Sequence, residues 1–184
     1  MRNITLKKYI QLPIAQSIVY DAVLEHLQPK NSFAKKQANI GNMPYANVKY
    51  CIRLLSKIKD WQDIYRLFSI CFEVTEKAFW RGTVTEYFAA RKFIIEELKQ
   101  VIETENKLLS SVSTDGHLWK MAGAEKLNPY NDTLPLMQLG KLLGQYPFDL
   151  GRKPYNEIFN LLVQTKLQNE VEAEYRKLAS QQSK

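Results

Sequence analysis

Apolar residues recur along most of the chain at spacings of three and four, the period of a helix with one face turned to a core. The longest such run is 83–111, TVTEYFAARKFIIEELKQVIETENKLLSS. Tyr87, Ile94, Val101 and Leu108 repeat every seven residues, flanked by Phe88, Ile95, Ile102 and Leu109. Glu96, Glu97, Lys99, Gln100, Glu103, Glu105 and Asn106 fill the other face. Thr83, with Glu86 three residues on, makes a capping box, in which each side chain satisfies an orphan backbone N–H. The pattern predicts a helix about 40 Å long at 1.5 Å rise per residue. Its apolar stripe needs cover from other helices or from another protein.

The segments before it read as shorter helices. Met1–Gln11 is basic and predicts a short strand or an ordered arm, pinned by Leu6, Tyr9, Ile10 and Leu12. Pro13 marks a helix entry, and Ile14–Leu27 carry Ile18, Val23, Leu24 and Leu27 until Pro29 stops the run. Lys30–Gly41 is polar and basic and reads as a mobile loop. A helix opens at Pro44, with Tyr45, Val48, Ile52 and Leu55 on one face. Asp60 is an N-cap for the next, where Trp61, Ile64, Tyr65, Phe68, Ile70, Cys71 and Phe72 leave little polar surface. A helix of that kind belongs in the middle of a fold and is expected to cover the first half of the long helix.

Ser110–Gly116, SSVSTDG, interrupts the periodicity with small polar residues and predicts a hinge or junction. Beyond it, His117–Lys126 carries Leu118, Trp119 and Met121, with Leu127 next. Leu134–Gln145 follows, with Asp132 or Thr133 as cap and Pro135 in its first turn. The last helix opens at Pro154 and is expected to run to about Ala179, with Tyr155, Ile158, Phe159, Leu162 and Val163 as its stripe and Val171, Tyr175 and Leu178 continuing it amid charge. MPYANVKYCIRLL at 43–55 and KPYNEIFNLLVQT at 153–165 echo each other as x-Pro-Tyr helix starts. Proline at N1 followed by an aromatic is a common start, and the echo is read as coincidence rather than duplication.

Together these segments predict an all-α fold, an irregular multi-helix bundle around a long central helix with a C-terminal helical lobe. The expected division is a basic N-terminal lobe, 1–111, including the long helix, and a C-terminal lobe, 112–184. Val101, Ile102, Leu108 and Leu109, which have the fewest evident partners within the chain, are candidate protein-binding positions. Val171, Tyr175 and Leu178 join them.

Composition changes this picture little, and charge changes it in one place. A hydrophobic fraction of 45% with 24% charged residues excludes disorder over most of the length. Residues 1–60 hold ten Lys/Arg against Asp21, Glu25 and Asp60, so the whole net charge of +7 sits there and the remainder is balanced. Either this third is a solvated face or it meets an acidic partner, protein or nucleic acid. Lys49, Arg53 and Lys57 repeat at i, i+4 and i+8 and would line one helix face as an acidic-partner surface. The helix after them is too apolar to enter a nucleic-acid groove, so nucleic acid is not the expected partner.

No stretch carries catalytic chemistry. His26 and His117 lie on separate segments without a ligand set, and there is no G-x-S-x-G, Walker loop or dinucleotide fingerprint. The paired glutamates at 96–97 and 103–105 lack the Glu-x-x-His of a di-iron site and read as a solvated face. Cys51 and Cys71 fall in apolar helical segments and read as buried reduced thiols. No enzyme activity, cofactor or metal is expected. The N-terminus lacks the apolar run of a signal peptide, and no run approaches the ~20 apolar residues of a bilayer span. A cytoplasmic protein with no membrane partner is expected.

The succession ITLKKYIQL, MPYANVKYCIRLL, DWQDIYRLFSICFEV, the long helix, LWKMAGAEKL and KPYNEIFNLLVQTKLQNEVEAEYRKL resembles small helical proteins encoded among bacteriophage tail genes, in particular tail-assembly chaperones. The resemblance covers most of the chain and is one of pattern, without an invariant motif. It implies a protein that coats an aggregation-prone, helical tape-measure protein, recruits tail-tube subunits and then leaves. It carries over no catalytic residues and places the protein in the cytoplasm of an infected bacterium. A permanent virion component, such as a head–tail connector or ring protein, is the neighbouring alternative, and a basic nucleic-acid-binding module the more distant one. Homo-oligomerisation is open in each case.

Overall fold

The capping box of the long helix forms as its spacing requires. The Glu86 carboxylate accepts from the Thr83 backbone N–H at 3.0 Å, and the Thr83 hydroxyl accepts from the Glu86 N–H at 3.3 Å. In this computed structural model residues 4–13, 20, 24, 26–110 and 116–182 are described. The fold is all-α with a long central helix, and a two-strand hairpin is the only sheet among the described residues. By packing, the chain divides into one unit of 1–43 and 47–101 and another of 44–46 and 102–184. That division falls inside the long helix, whereas the sequence placed it at 111/112, next to residues that lie outside the described ones. Most of the helix expected over Ile14–Leu27 also lies outside them.

The first unit begins with α1 (Leu6–Tyr9). Its N-cap, Thr5, pairs with Thr83 in an isolated antiparallel bridge. The Leu6 N–H donates to the Gly82 carbonyl at 2.8 Å and the Val84 N–H to the Ile4 carbonyl at 3.0 Å. Two helix starts thereby satisfy each other's orphan donors. The stretch read as a mobile loop contains a hairpin instead, β1 (Ser32–Phe33) against β2 (Lys36–Gln37). Burial of Phe33 fixes it, and the turn residues Ala34 and Lys35 take positive φ values of 49° and 65° without the usual Gly or Asn.

Among the described residues four more helices belong to this unit: α2 (Tyr45–Leu55, whose first two residues belong to the second unit), α3 (Trp61–Phe72), α4 (Glu76–Arg81) and the part of α5 (Val84–Leu109) up to Val101. Asp60 caps α3 as expected, its carboxylate accepting from the Asp63 N–H at 2.9 Å. The core is aromatic: Phe33 meets Phe68 edge-on at 4.9 Å between ring centroids, and Phe68 stacks on Tyr87 at 5.2 Å. Gly82 lies so close to this cluster that a Cβ there would run into the Phe33 ring. Trp61 and Trp80 are half-buried around the same core, and Trp61 contacts Tyr87 at 5.6 Å.

The second unit holds α6 (Gly116–Met121), a 3-10 segment (Ala124–Tyr130), α7 (Leu134–Leu143), α8 (Pro147–Arg152) and α9 (Tyr155–Gln182). The turn from α7 to α8 is tight: the Gln145 N–H returns to the Gly140 carbonyl at 3.0 Å, and a Cβ on Gly140 would meet the Gln145 oxygen at 2.7 Å. The two x-Pro-Tyr starts that echo each other in the sequence are paired in space. Pro44 bridges Pro154, the Tyr45 N–H donates to the Lys153 carbonyl at 2.9 Å, and the two tyrosine rings stack. Leu136, Leu139, Leu150 and Ile158 complete the buried core.

Candidate interaction surfaces

The residues proposed from sequence fall into three places. At the end of α5, Val101, Ile102 and Leu109 are half-buried and Leu108 is more exposed. This end is partly covered by the chain itself. Leu109 lines an open groove of about 440 Å³ with Pro135 and Leu139 of α7 and Leu162 and Ala173 of α9. The Lys166 ammonium donates to the Leu108 carbonyl at 3.0 Å and to the Ser110 carbonyl at 2.7 Å. A cation there satisfies the orphan acceptors and the negative end of the helix dipole.

The basic trio is not one helix face. α2 ends at Leu55, and Lys57 sits in the following turn, its N–H bonded to the Leu54 carbonyl at 2.9 Å. The Ser56 hydroxyl, donating to the Arg53 carbonyl at 2.9 Å, helps close the helix there. Lys49 and Arg53 alone stand on α2, and both already take part in interactions.

Val171, Tyr175 and Leu178 are exposed, with Val171 at 69% and Tyr175 at 71%. They do not continue the first-half stripe of α9. At about 100° per residue, Tyr155, Ile158, Phe159 and Leu162 lie on one side of the helix and Leu167, Val171, Tyr175 and Leu178 roughly on the opposite side. Helix α9 is apolar on two faces. The inner face, extended by Asn169 and Ala173, borders α7 across the groove, and the outer one faces solvent.

More exposed apolar residues lie where no site residue was expected. Leu118, Met121, Leu127, Tyr130, Met137, Leu142, Leu143, Tyr146 and Phe148 are all exposed, and Tyr146 and Phe148 contact each other at 5.4 Å. Among the described residues of the first unit the exposed large apolar ones are Ile10 and Tyr50. The sequence marked several of the second-unit positions as apolar, but periodicity does not tell a core-facing residue from one that faces a partner.

Inside the second unit the charged and polar groups serve structure. The Tyr155 hydroxyl donates to a Glu105 carboxylate oxygen at 3.0 Å. Burial, then the Glu105 charge and this hydrogen bond, raise the Tyr155 phenol well above its usual range, and burial with Glu105 and Asp132 does the same to Tyr45. In the first unit, the Cys51 and Cys71 sulfurs lie 3.9 Å apart, both buried. The hydrogen bond with Cys51, then burial, pushes the Cys71 thiol upward, the direction opposite to an activated nucleophile. Both histidines are exposed, and no His/Cys/Asp/Glu group able to hold a metal occurs among the described residues. No described helix is long and apolar enough to cross a membrane. Comparison of the chain with family models, curated proteins and solved structures gave no match.

Proposed function

We propose that this chain is a non-enzymatic assembly protein that holds an amphipathic helix of another protein, in the manner of a bacteriophage tail-assembly chaperone. The observation that carries the proposal is the concentration of exposed large apolar residues between 118 and 148 of the second unit. Large apolar surface left in water is a feature of binding sites. Met121 and Met137 add flexible thioether side chains, which suit a surface that must accept varied helical sequence. The partner inferred from the sequence resemblance is a tape-measure protein, with tail-tube subunits recruited afterwards, in the cytoplasm of an infected bacterium. The nucleic-acid alternative loses support, because Lys57 leaves the helix that carries Lys49 and Arg53.

The test is co-expression with a long amphipathic tape-measure helix. The expected result is that the chain keeps the helix soluble and copurifies with it, and that Leu142→Asp with Phe148→Asp abolishes this while the circular dichroism spectrum is unchanged. Stoichiometric recovery of the chain in mature particles would instead support a connector or ring protein. Binding to duplex DNA that falls steeply with salt would support the basic module.

A further inference from the structure

The outer face of α9 is separate from the surface just described, and its pattern specifies its own partner. Leu167, Val171, Tyr175 and Leu178 stand within an arc of about 80° at 100° per residue, the width of a coiled-coil seam. All four are exposed. Glu170 and Lys177 stand together on one flank of that seam, one heptad apart. Their present partners are ion pairs along the same helix, Lys166 to Glu170 at 3.3 Å and Lys177 to Glu174 at 3.8 Å. Such exposed one-turn pairs are weak, so an added opposite charge extends them at little cost.

We propose that the outer face of α9 binds the same face of a second copy of this chain, antiparallel, about a two-fold axis between Glu172 and Ala173. The register follows from the sequence of the helix. In an antiparallel pair each a position packs against a d position of the other strand, and like flanks face each other. Setting Leu167 against Leu178 of the second copy places Val171 against the Glu174–Tyr175 turn. The same register brings Glu170 opposite Lys177 of the other copy, twice by symmetry, and leaves Tyr175 on the other flank of the seam. The charge pairs select this alignment, because a shift of one heptad sets Glu170 against Glu170 in one direction and Lys177 against Lys177 in the other. A parallel, in-register pair loses the charge pairs and sets like charges together: Glu174 would face Glu174 in the seam, and Glu170 would lie against Tyr175. The contact is isologous and closes as a dimer. Its area is that of a few side chains per copy, which places it among weak, concentration-dependent associations rather than obligate ones.

Sedimentation equilibrium on the full chain, from micromolar concentration upward, is the first measurement. A monomer–dimer equilibrium is expected. Glu170→Lys or Lys177→Glu alone puts like charges face to face and should weaken the dimer by roughly tenfold or more. The double exchange Glu170→Lys with Lys177→Glu should restore it, a recovery that a merely structural role for either residue would not give. Orientation is read by mixing Leu167→Cys and Leu178→Cys chains under mild oxidation, with the native cysteines buried. Mixed disulfides should exceed both self-disulfides. A chain that stays monomeric throughout, charge variants without effect, or a preference for self-disulfides would each overturn the proposal. All these positions are exposed, and unchanged helicity by circular dichroism shows that the variants fold.

Discussion

The ring of Tyr45 lies against that of Tyr155, with centroids 5.9 Å apart and planes within 10° of parallel. Phe159 also stacks with Tyr155, at 5.7 Å, and the Tyr155 hydroxyl is tied to Glu105. One side chain therefore joins three segments of the second unit: the start of α2, the end of α5 and the start of α9. Removing its ring and removing its hydroxyl should have different costs. Tyr155→Ala is expected to destabilise by about 3–5 kcal/mol, as for a large buried aromatic. Tyr155→Phe keeps the stack and should lose only about 1 kcal/mol, the net value of one hydrogen bond. Urea denaturation of both variants checks the difference.

The buried tyrosines also set an alkaline limit. Tyr45, Tyr87 and Tyr155 have folded pKa values raised above the unfolded value near 10, that of Tyr87 to about 12 by burial. A group raised in the folded state contributes stability that is complete below the unfolded pKa and is lost as pH rises through the folded one. Stability should therefore be flat with respect to tyrosine up to about pH 10 and then fall, with about 2–3 kcal/mol lost from Tyr87 alone by pH 12. Absorbance at the tyrosinate band should rise together with loss of helicity for the buried residues, and before it for the exposed ones. Tyrosinate appearing throughout with helicity intact would refute this.

Gly82 is required by an approach rather than by its backbone angles. Gly82→Ala would push a methyl into the Phe33 ring and should cost about 1–3 kcal/mol, the usual range for overpacking. Phe33→Leu in the same chain should recover part of that loss, since the two positions touch and their effects are not additive. A double variant whose cost equals the sum of the two single ones would show that the contact is not the cause.

The thiols of Cys51 and Cys71 face each other out of water. A thiol reagent such as DTNB should react with neither in the native protein and with both on unfolding, at a rate that tracks opening of the first unit. Cys71→Ser, which puts a more strongly polar hydroxyl in that apolar setting, should destabilise by about 1–3 kcal/mol. Rapid reaction of native protein would contradict the burial of the pair.

Substitutions on the exposed apolar surface should separate binding from stability. Leu142→Asp and Phe148→Asp alter side chains that are 61% and 67% exposed. Each should change unfolding free energy by less than about 0.5 kcal/mol. Large destabilisation would mean that these residues belong to the chain's own core and would remove the basis for partner binding.

What could be read from the sequence follows the range of the interactions involved. The capping box at Thr83 and Glu86, the Asp60 cap and the proline starts act within one turn, so their signals are local and the helices follow. The hairpin at 32–37 was hidden because Ala34 and Lys35 adopt left-handed backbone without a turn-forming residue, under the pull of Phe33 toward a core that lies elsewhere in sequence. The end of α2 carries no proline or glycine, so the Lys49, Arg53 and Lys57 spacing read as one face although the last residue lies beyond the helix. On α9 the outer stripe was read as a continuation of the inner one, because charged residues between them obscured the change of side. The candidate surface at 118–148 was apolar in the sequence, but only three-dimensional placement separates an unburied leucine from a core one.

The pairing of Pro44 with Pro154 bears on biosynthesis. Residues 44–46 leave the ribosome well before the segment they stack on. Until then the Tyr45 ring has no lid, and the nascent chain exposes it to whatever is nearby. The second unit also has no contiguous gene fragment, since a clone of 102–184 would lack Tyr45. Such a fragment should be recoverable as a folded species only when a peptide spanning 43–55 is supplied in trans.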